Sequence, residues 1–218
     1  MKNIAIVAGG PGEFIPNLKE YQHKVDIWIA ADKGIECLID HQLPIHLAIG
    51  DFDSATHKSI EKLQDYADRI EIFPLEKDET DLELAIDHAI QLKPAIIYLF
   101  GATGGRIDHE LGNIQLLYKI QEMNVKATII DKQNQLALYR PGTYQIEREE
   151  QDMSISFLPF GGEVEGLTLT GFYYPLQDEG ISLGSTRCLS NHLISKIGTF
   201  SFRTGILIVV KSRDVLNL

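Results

Sequence analysis

Three loops carry acid at a spacing that could do chemistry: Gly50-Asp51-Phe52-Asp53-Ser54, Lys77-Asp78-Glu79-Thr80-Asp81 and Gly104-Gly105-Arg106-Ile107-Asp108-His109. Carboxylate oxygens are hard ligands of the kind Mg²⁺ takes. That ion binds only one or two protein carboxylates directly and fills its octahedron with water and substrate phosphates. The pattern therefore points to a substrate that bears phosphate. In the third loop, adjacent glycines let backbone N–H groups approach an anion closely, the helix start behind them adds positive potential, and Arg106 offers a planar fork for two phosphoryl oxygens. It is not a Walker A loop, since Gly-x-x-x-x-Gly-Lys-Ser/Thr occurs nowhere. Gly10-Pro11-Gly12 also fails the dinucleotide fingerprint, with Ile15 where the third Gly would stand.

Each loop alone has a plainer reading. Gly-Asp-x-Asp-Ser makes a turn in which Asp53 or Ser54 caps a helix, Asp81 in a first helical turn answers the helix dipole, and Asp108 could be an N-cap. Their conjunction carries the magnesium-nucleotide reading, because all three fall at the carboxyl ends of β-rich runs. That is the edge of an open α/β sheet where ligands bind.

The elements that must position these loops alternate in the α/β manner as far as about Arg140. Runs Ile4 to Ala8, Val25 to Ala30, Ile45 to Ile49, Ile70 to Phe73, Ala95 to Phe100 and Ala127 to Ile130 read as strands, apolar almost throughout as in a parallel sheet covered on both faces. Thr80 and Glu83 form a capping box for a helix whose stripe is Leu82, Ala85, Ile86, Ala89 and Ile90, with Pro94 past its end. A second helix is expected from about Asp108 to Glu122, with Leu111, Ile114, Leu117 and Tyr118 on one side. Beyond Arg140 helical periodicity vanishes and glycine recurs. Strands are expected at Met153 to Leu158, Val164 to Leu169, His192 to Ile197, Thr199 to Arg203 and Ile206 to Lys211. The expected organisation is thus α/β plus β: residues 1–140 a Rossmann-like α/β/α domain with a mostly parallel sheet, and residues 141–218 an all-β sandwich.

Composition limits the partners. The 218 residues are 44% apolar, enough for a substantial core, and Lys+Arg 20 against Asp+Glu 31 gives a net charge of −11. Such a balance argues against nucleic acid or an anionic membrane, both of which are bound through surplus Lys and Arg. No apolar run approaches the roughly 20 residues of a membrane span, and the short run Ile4 to Ala8 is too brief for a signal-peptide core, so a cytoplasmic location is expected. Cys37 and Cys188 stand far apart without Cys or His partners, which supports neither a disulfide framework nor a structural zinc site.

In their order, Gly-Asp-Phe-Asp-Ser, Lys-Asp-x-Thr-Asp and Gly-Gly-Arg-x-Asp-His, followed by a helix holding Asn113, resemble the thiamine pyrophosphokinase family, bacterial type. Ala31-Asp32-Lys33-Gly34 resembles that family's early Ala-Asp-Gly-Gly loop, with Lys33 in place of Gly. Later, Thr170-Gly171-Phe172-Tyr173-Tyr174-Pro175-Leu176 and Gly184 to Asn191 resemble its Gly-Leu-Lys-Tyr-Pro-Leu and Ser-x-x-Ser-Asn segments, with Phe172-Tyr173 for Leu-Lys.

The resemblance implies transfer of a pyrophosphoryl unit from Mg-ATP to the hydroxyethyl group of thiamine by a homodimer with sites between subunits. It implies an acidic site of Asp51, Asp53, Asp78, Asp81 and Asp108, acting mostly through Mg²⁺ or its waters. Five carboxylates exceed the needs of one ion, so two ions, or one ion and a general base, both satisfy the set. Nucleotide contacts would come from Asp32, Lys77, Thr103, Gly104, Gly105, Arg106 and Asn113. Thiamine, a cationic heteroaromatic, would meet Tyr174 as a platform and Ser190 and Asn191 as hydrogen-bonding groups. Two other readings keep part of the pattern. One is Mg-ATP chemistry on a different small hydroxylated acceptor. The other is a non-catalytic nucleotide or thiamine sensor, against which the full carboxylate set weighs.

Overall fold

The computed structural model describes residues 1–51, 65–74, 76–148 and 153–214, so that Asp53, with its neighbours Phe52 and Ser54, lies outside the described residues. The chain divides into two compact units, Met1–Lys132 and Gln133–Leu218.

The first unit holds a sheet of parallel strands, β1 (Asn3–Val7), β2 (Ile27–Ala31), β3 (Leu47–Gly50), β4 (Ile70–Ile72), β5 (Ile96–Phe100) and β6 (Lys126–Ile130), in the order β4-β3-β2-β1-β5-β6. Each overlaps one of the apolar runs. Ile4, Ala5, Ile6 and Val7 are all fully buried, as expected of a central parallel strand with no solvent face. Trp28 stacks on Phe100 at 6.3 Å, and Tyr21, which ends a 3-10 turn over Leu18–Tyr21, meets Phe100 edge-on at 4.9 Å. The chain passes outward from β1 through β2 and β3 to β4, then returns to β5 and β6 on the other side. The boundary between β1 and β5 is therefore the topological switch point, where a crevice opens beyond the carboxyl ends.

Three described helices flank the sheet, α1 (Gly34–Asp40), α2 (Asp81–Gln91) and α3 (Ile107–Glu122). In α2 the cap is as expected: Thr80 Oγ1 accepts from Glu83 N at 3.2 Å, and Leu82, Ala85, Ile86 and Ala89 are buried. Only half of the capping box forms. The Glu83 carboxylate instead accepts from Lys119 Nζ of α3 at 3.0 Å, tying the two helices together. The expected face of α3 is rotated, because Leu111 and Tyr118 are exposed while Leu117 and Ile120 are buried.

The second unit is antiparallel: β7 (Asn134–Tyr139), β8 (Gly142–Glu147), β9 (Ser154–Pro159), β10 (Val164–Thr170), β11 (Leu176–Ile181), β12 (Ile197–Phe202) and β13 (Leu207–Ser212), in the orders β7-β13-β9 and β11-β10-β12-β8. Phe157, Leu167, Phe200 and Val209 from both groups share one core. The unit begins at Gln133, before β7, which pairs along its whole length with β13. His192 to Ile197 is not a strand. Leu193 is buried in an isolated bridge to Phe172 while Ile194 is exposed, and regular pairing begins only at Ile197. The chain is α/β plus β, and among the described residues no helix is long and apolar enough to cross a membrane.

Candidate active site

A cavity of about 600 Å³ occupies the crevice at the strand ends of the first unit. Gly9, Gly10 and Pro11 line it after β1, Asp32 after β2, Asp51 after β3, and Lys77, Glu79, Thr80 and Asp81 at the start of α2. Gly101, Ala102, Thr103 and Gly105 follow β5, with Arg106, His109, Glu110 and Asn113 at the start of α3. The two glycine loops meet directly, Gly10 N donating to Gly101 O at 2.9 Å. A side chain on Gly9 would come within 3.2 Å of the Asp32 carboxylate, so the absence of one lets Asp32 sit close against the β1 loop.

Asp81 is the most perturbed acid on this wall. Its Oδ1 stands 3.1 Å from Lys77 Nζ, with the two side chains 19% and 13% exposed. The contact is an ion pair without hydrogen-bond geometry: Nζ donates to Pro74 O at 3.1 Å, and Asp81 Oδ1 is buried with no donor. Burial pushes the Asp81 pKa up, Lys77 pulls it down, and the neighbouring charges of Asp51 and Asp32 raise it again. The net direction is upward. Among the described residues no three His, Cys, Asp or Glu side chains converge as a ready metal cage. A cluster of carboxylates with one ammonium nevertheless leaves uncompensated negative charge in the cavity wall.

The β5 to α3 loop is braced by its own side chains. Thr103 Oγ1 donates to Asp131 Oδ2 at 2.9 Å, Asn113 Nδ2 donates to Ala102 O at 2.8 Å, and the N–H groups of Gly104 and Gly105 donate to Glu110 Oε1 at 2.6 and 2.9 Å. Gly104 has φ 86°, which glycine adopts without penalty, and its missing Cβ leaves room for the Phe14 ring. Arg106 is the N-cap residue of α3, and Asp108 sits inside the first turn. Their side chains pair, Nε to Oδ1 at 3.1 Å and Nη2 to Oδ2 at 2.5 Å, in the open, and that pairing holds the Asp108 carboxyl down at about 2. Neither Asp108 nor Asp78, which is exposed, lines the cavity.

In the second unit Asn191 is buried and committed to the backbone. Its Oδ1 accepts from Tyr174 N at 3.0 Å and His192 N at 2.9 Å, and its Nδ2 donates to Tyr174 O at 2.9 Å. Tyr173 and Tyr174 are exposed, and Tyr173 stacks on His192 at 4.6 Å. Ser190 holds φ 55° and donates its N–H to Ser156 Oγ at 3.0 Å. Tyr174, Arg187, Cys188 and Asn191 help to line a smaller cavity of about 290 Å³.

Residues 18–129 match the family model described as thiamin pyrophosphokinase, catalytic domain, and residues 143–207 match the thiamin pyrophosphokinase vitamin B1 binding domain. The chain belongs to the thiamine pyrophosphokinase family. A thiamine pyrophosphokinase of Bacillus subtilis is 50% identical over 214 residues, covering 98% of this chain and 100% of that protein. A crystal structure of thiamine pyrophosphokinase from Bacillus subtilis superposes with a TM-score of 0.91 at 48% identity over 98% of this chain and all of that one. The Candida albicans thiamin pyrophosphokinase shares the fold at TM-score 0.83 with only 17% identity, over 97% of this chain and 89% of that one.

Of the residues that the family motifs single out, the cavity gathers Asp32, Asp51, Lys77, Asp81, Thr103, Gly105, Arg106 and Asn113. Gly9, Gly10, Glu79, His109 and Glu110 line it too: Glu79 and His109 stand in the acidic loops and Gly10 in the failed fingerprint without an assigned role, while Gly9 and Glu110 fall in no motif. The Gly9-Gly10 pair directly after a strand was a usable signal, hidden because it fits no dinucleotide fingerprint. Glu110 reads in sequence only as an acid suited to a helix start.

Proposed function

We propose that the chain transfers the pyrophosphoryl group of Mg-ATP to the hydroxyethyl oxygen of thiamine, giving thiamine diphosphate and AMP. The observation that carries this is the match of both units, over 98% of the chain, to a thiamine pyrophosphokinase. On this reading the first unit is a Rossmann-like α/β/α nucleotide domain and the second a β-sandwich thiamine domain. The active form would be a cytoplasmic homodimer.

The hydroxyl oxygen attacks the β-phosphorus as its proton passes to a carboxylate of the acidic wall or to water, the bond from that phosphorus to the oxygen bridging to the α-phosphorus breaks, and AMP departs with that oxygen. Positioning and charge stabilisation do most of the work in such a transfer. Lys77 and Arg106 bring positive charge to the phosphates. The glycine backbones after β1 and β5 let the triphosphate lie close to the sheet edge.

The acids fit magnesium, because Asp81 Oδ1 is buried with only the Lys77 ammonium against it while Asp51 and Asp32 add like charge beside it. Asp51 and Asp81 would hold the ion, with water completing its shell, since Mg²⁺ needs only one or two direct carboxylates, and Asp32 would add negative charge beside them. When bound it would neutralise phosphate charge. Asp78 and Asp108, off the cavity wall, would act through water, and Asp53 completes the proposed set. Asn191 supports thiamine binding by fixing the Tyr174 backbone, beside which Tyr174 and Ser190 would meet the ring system.

The test is to incubate the chain with ATP, Mg²⁺ and thiamine and follow thiamine diphosphate by its oxidation to a fluorescent thiochrome. Product that requires all three components supports the assignment. ATP consumption without a thiamine product would remove thiamine as acceptor.

A further inference from the structure

The glycine loop that reads as a phosphate cradle is already filled by an anion of the chain itself. Gly104 and Gly105 present consecutive N–H groups at the start of α3, and both donate to one oxygen, Glu110 Oε1, at 2.6 and 2.9 Å. Glu110 lies in the first turn of the same helix and lines the same cavity as Gly105, Arg106 and Lys77. Backbone donors converging on one carboxylate oxygen form charge-assisted hydrogen bonds, about twice as strong as neutral ones, and the helix dipole strengthens them. A phosphoryl oxygen would ask for these same donors.

We propose that Glu110 is an intramolecular placeholder for the substrate's phosphate: it occupies the Gly104 and Gly105 N–H pair in the nucleotide-free chain and gives it up when a phosphoryl group enters. The inference rests on the reading of this cavity as the nucleotide site. It makes Glu110 a determinant of phosphate affinity in two ways. Its charge competes for the donors, and its removal from them must be offset by each incoming nucleotide. In return, the loop keeps its anion-binding shape while empty, with two adjacent donors held on one acceptor.

A pure bracing role and a placeholder role differ in sign. Glu110→Gln keeps an oxygen that can accept both N–H groups but removes the charge, so the loop stays supported and the competitor weakens. Binding of Mg-ATP without thiamine, measured by calorimetry on wild type, Glu110→Gln and Glu110→Ala, separates the two. The placeholder role expects Glu110→Gln to bind Mg-ATP roughly three- to ten-fold tighter than wild type, the span expected when charge-assisted hydrogen bonds give way to neutral ones. It also expects that gain to shrink for AMP, which has a single phosphate to compete with. Equal or weaker binding by Glu110→Gln, together with weaker binding by Glu110→Ala, would overturn the placeholder and leave Glu110 as a brace. A folded wild-type chain that binds no Mg-ATP would overturn both this role and the nucleotide site on which it rests.

Discussion

Lys77 Nζ and Asp81 Oδ1 lie 3.1 Å apart at the mouth of α2, with Lys77 four residues ahead of Asp81 in the loop before the helix and both side chains largely buried. The pair does not neutralise Asp81 fully, for its pKa still stands above the usual carboxylate value, with burial the largest cause. A net upward shift means that the ionised form is disfavoured in the folded chain even with Lys77 beside it. The Asp81 contribution to stability is therefore complete below the unfolded carboxylate range and is lost as pH rises through the raised folded value. Asp81→Asn cannot ionise. At neutral pH it is expected to denature at a midpoint no lower than wild type while losing about 10²-fold or more in turnover, the scale of removing one preorganised charge from a transferring site. Undiminished turnover in the folded variant would remove Asp81 from the site.

Lys77→Met withdraws the attraction that holds the Asp81 pKa in check. The acid limb of kcat/KM should move to higher pH, because an acid that must be ionised now titrates later. KM for ATP should rise about three- to ten-fold with loss of one phosphate contact. An acid limb that stays in place would show that Asp81 does not set it.

Arg106 and Asp108 pair on the surface, and the Asp108 carboxyl is depressed to about 2 mainly through the Arg106 hydrogen bonds. The contribution of this pair is present above the unfolded value of 3.8 and is lost as pH falls through about 2. Because both groups are exposed, salt should weaken it. In Arg106→Gln, carboxyl NMR should find Asp108 titrating near its ordinary value, with KM for ATP raised. An Asp108 titration unchanged by the substitution would contradict the pairing.

Asn191 shows where residue type was legible and role was not. The Ser-Asn segment points to a thiamine contact, yet the buried amide spends its Oδ1 on two backbone N–H groups and its Nδ2 on Tyr174 O. Sequence cannot tell a side chain that meets substrate from one that holds the loop which does. Asn191→Ala should cost about 2–3 kcal/mol in denaturant unfolding, the scale of leaving buried backbone groups unpaired. It should raise KM for thiamine while leaving that for ATP in place. An unaltered midpoint would mean that the three hydrogen bonds are dispensable.

The parallel strands were readable because both faces of the sheet are covered, which writes continuous apolar runs into Ile4 to Val7 and Ile97 to Phe100. The α3 face was less so: Ile114 and Leu117 lie on one stripe, but Leu111 and Tyr118 share its spacing and are exposed. In the second unit, β7 and β11 carry Asn134, Gln135, Gln177, Asp178 and Glu179, polar positions that mask a strand pattern. His192 to Ile197 looks like a strand because Leu193, Ile194 and Ile197 are apolar, though only Leu193 is buried. At the site, the acidic loops and the glycine cradle were legible as motifs. That Glu110 already fills the cradle depends on a contact six residues back along the chain from its own position, which composition and spacing do not encode.

The most direct test of the central claim is the nucleotide released when the chain turns over ATP and thiamine with Mg²⁺. Resolved by anion-exchange chromatography, AMP is expected in equal amount to thiamine diphosphate. ADP with thiamine monophosphate would mean transfer of a single phosphoryl group and would contradict it.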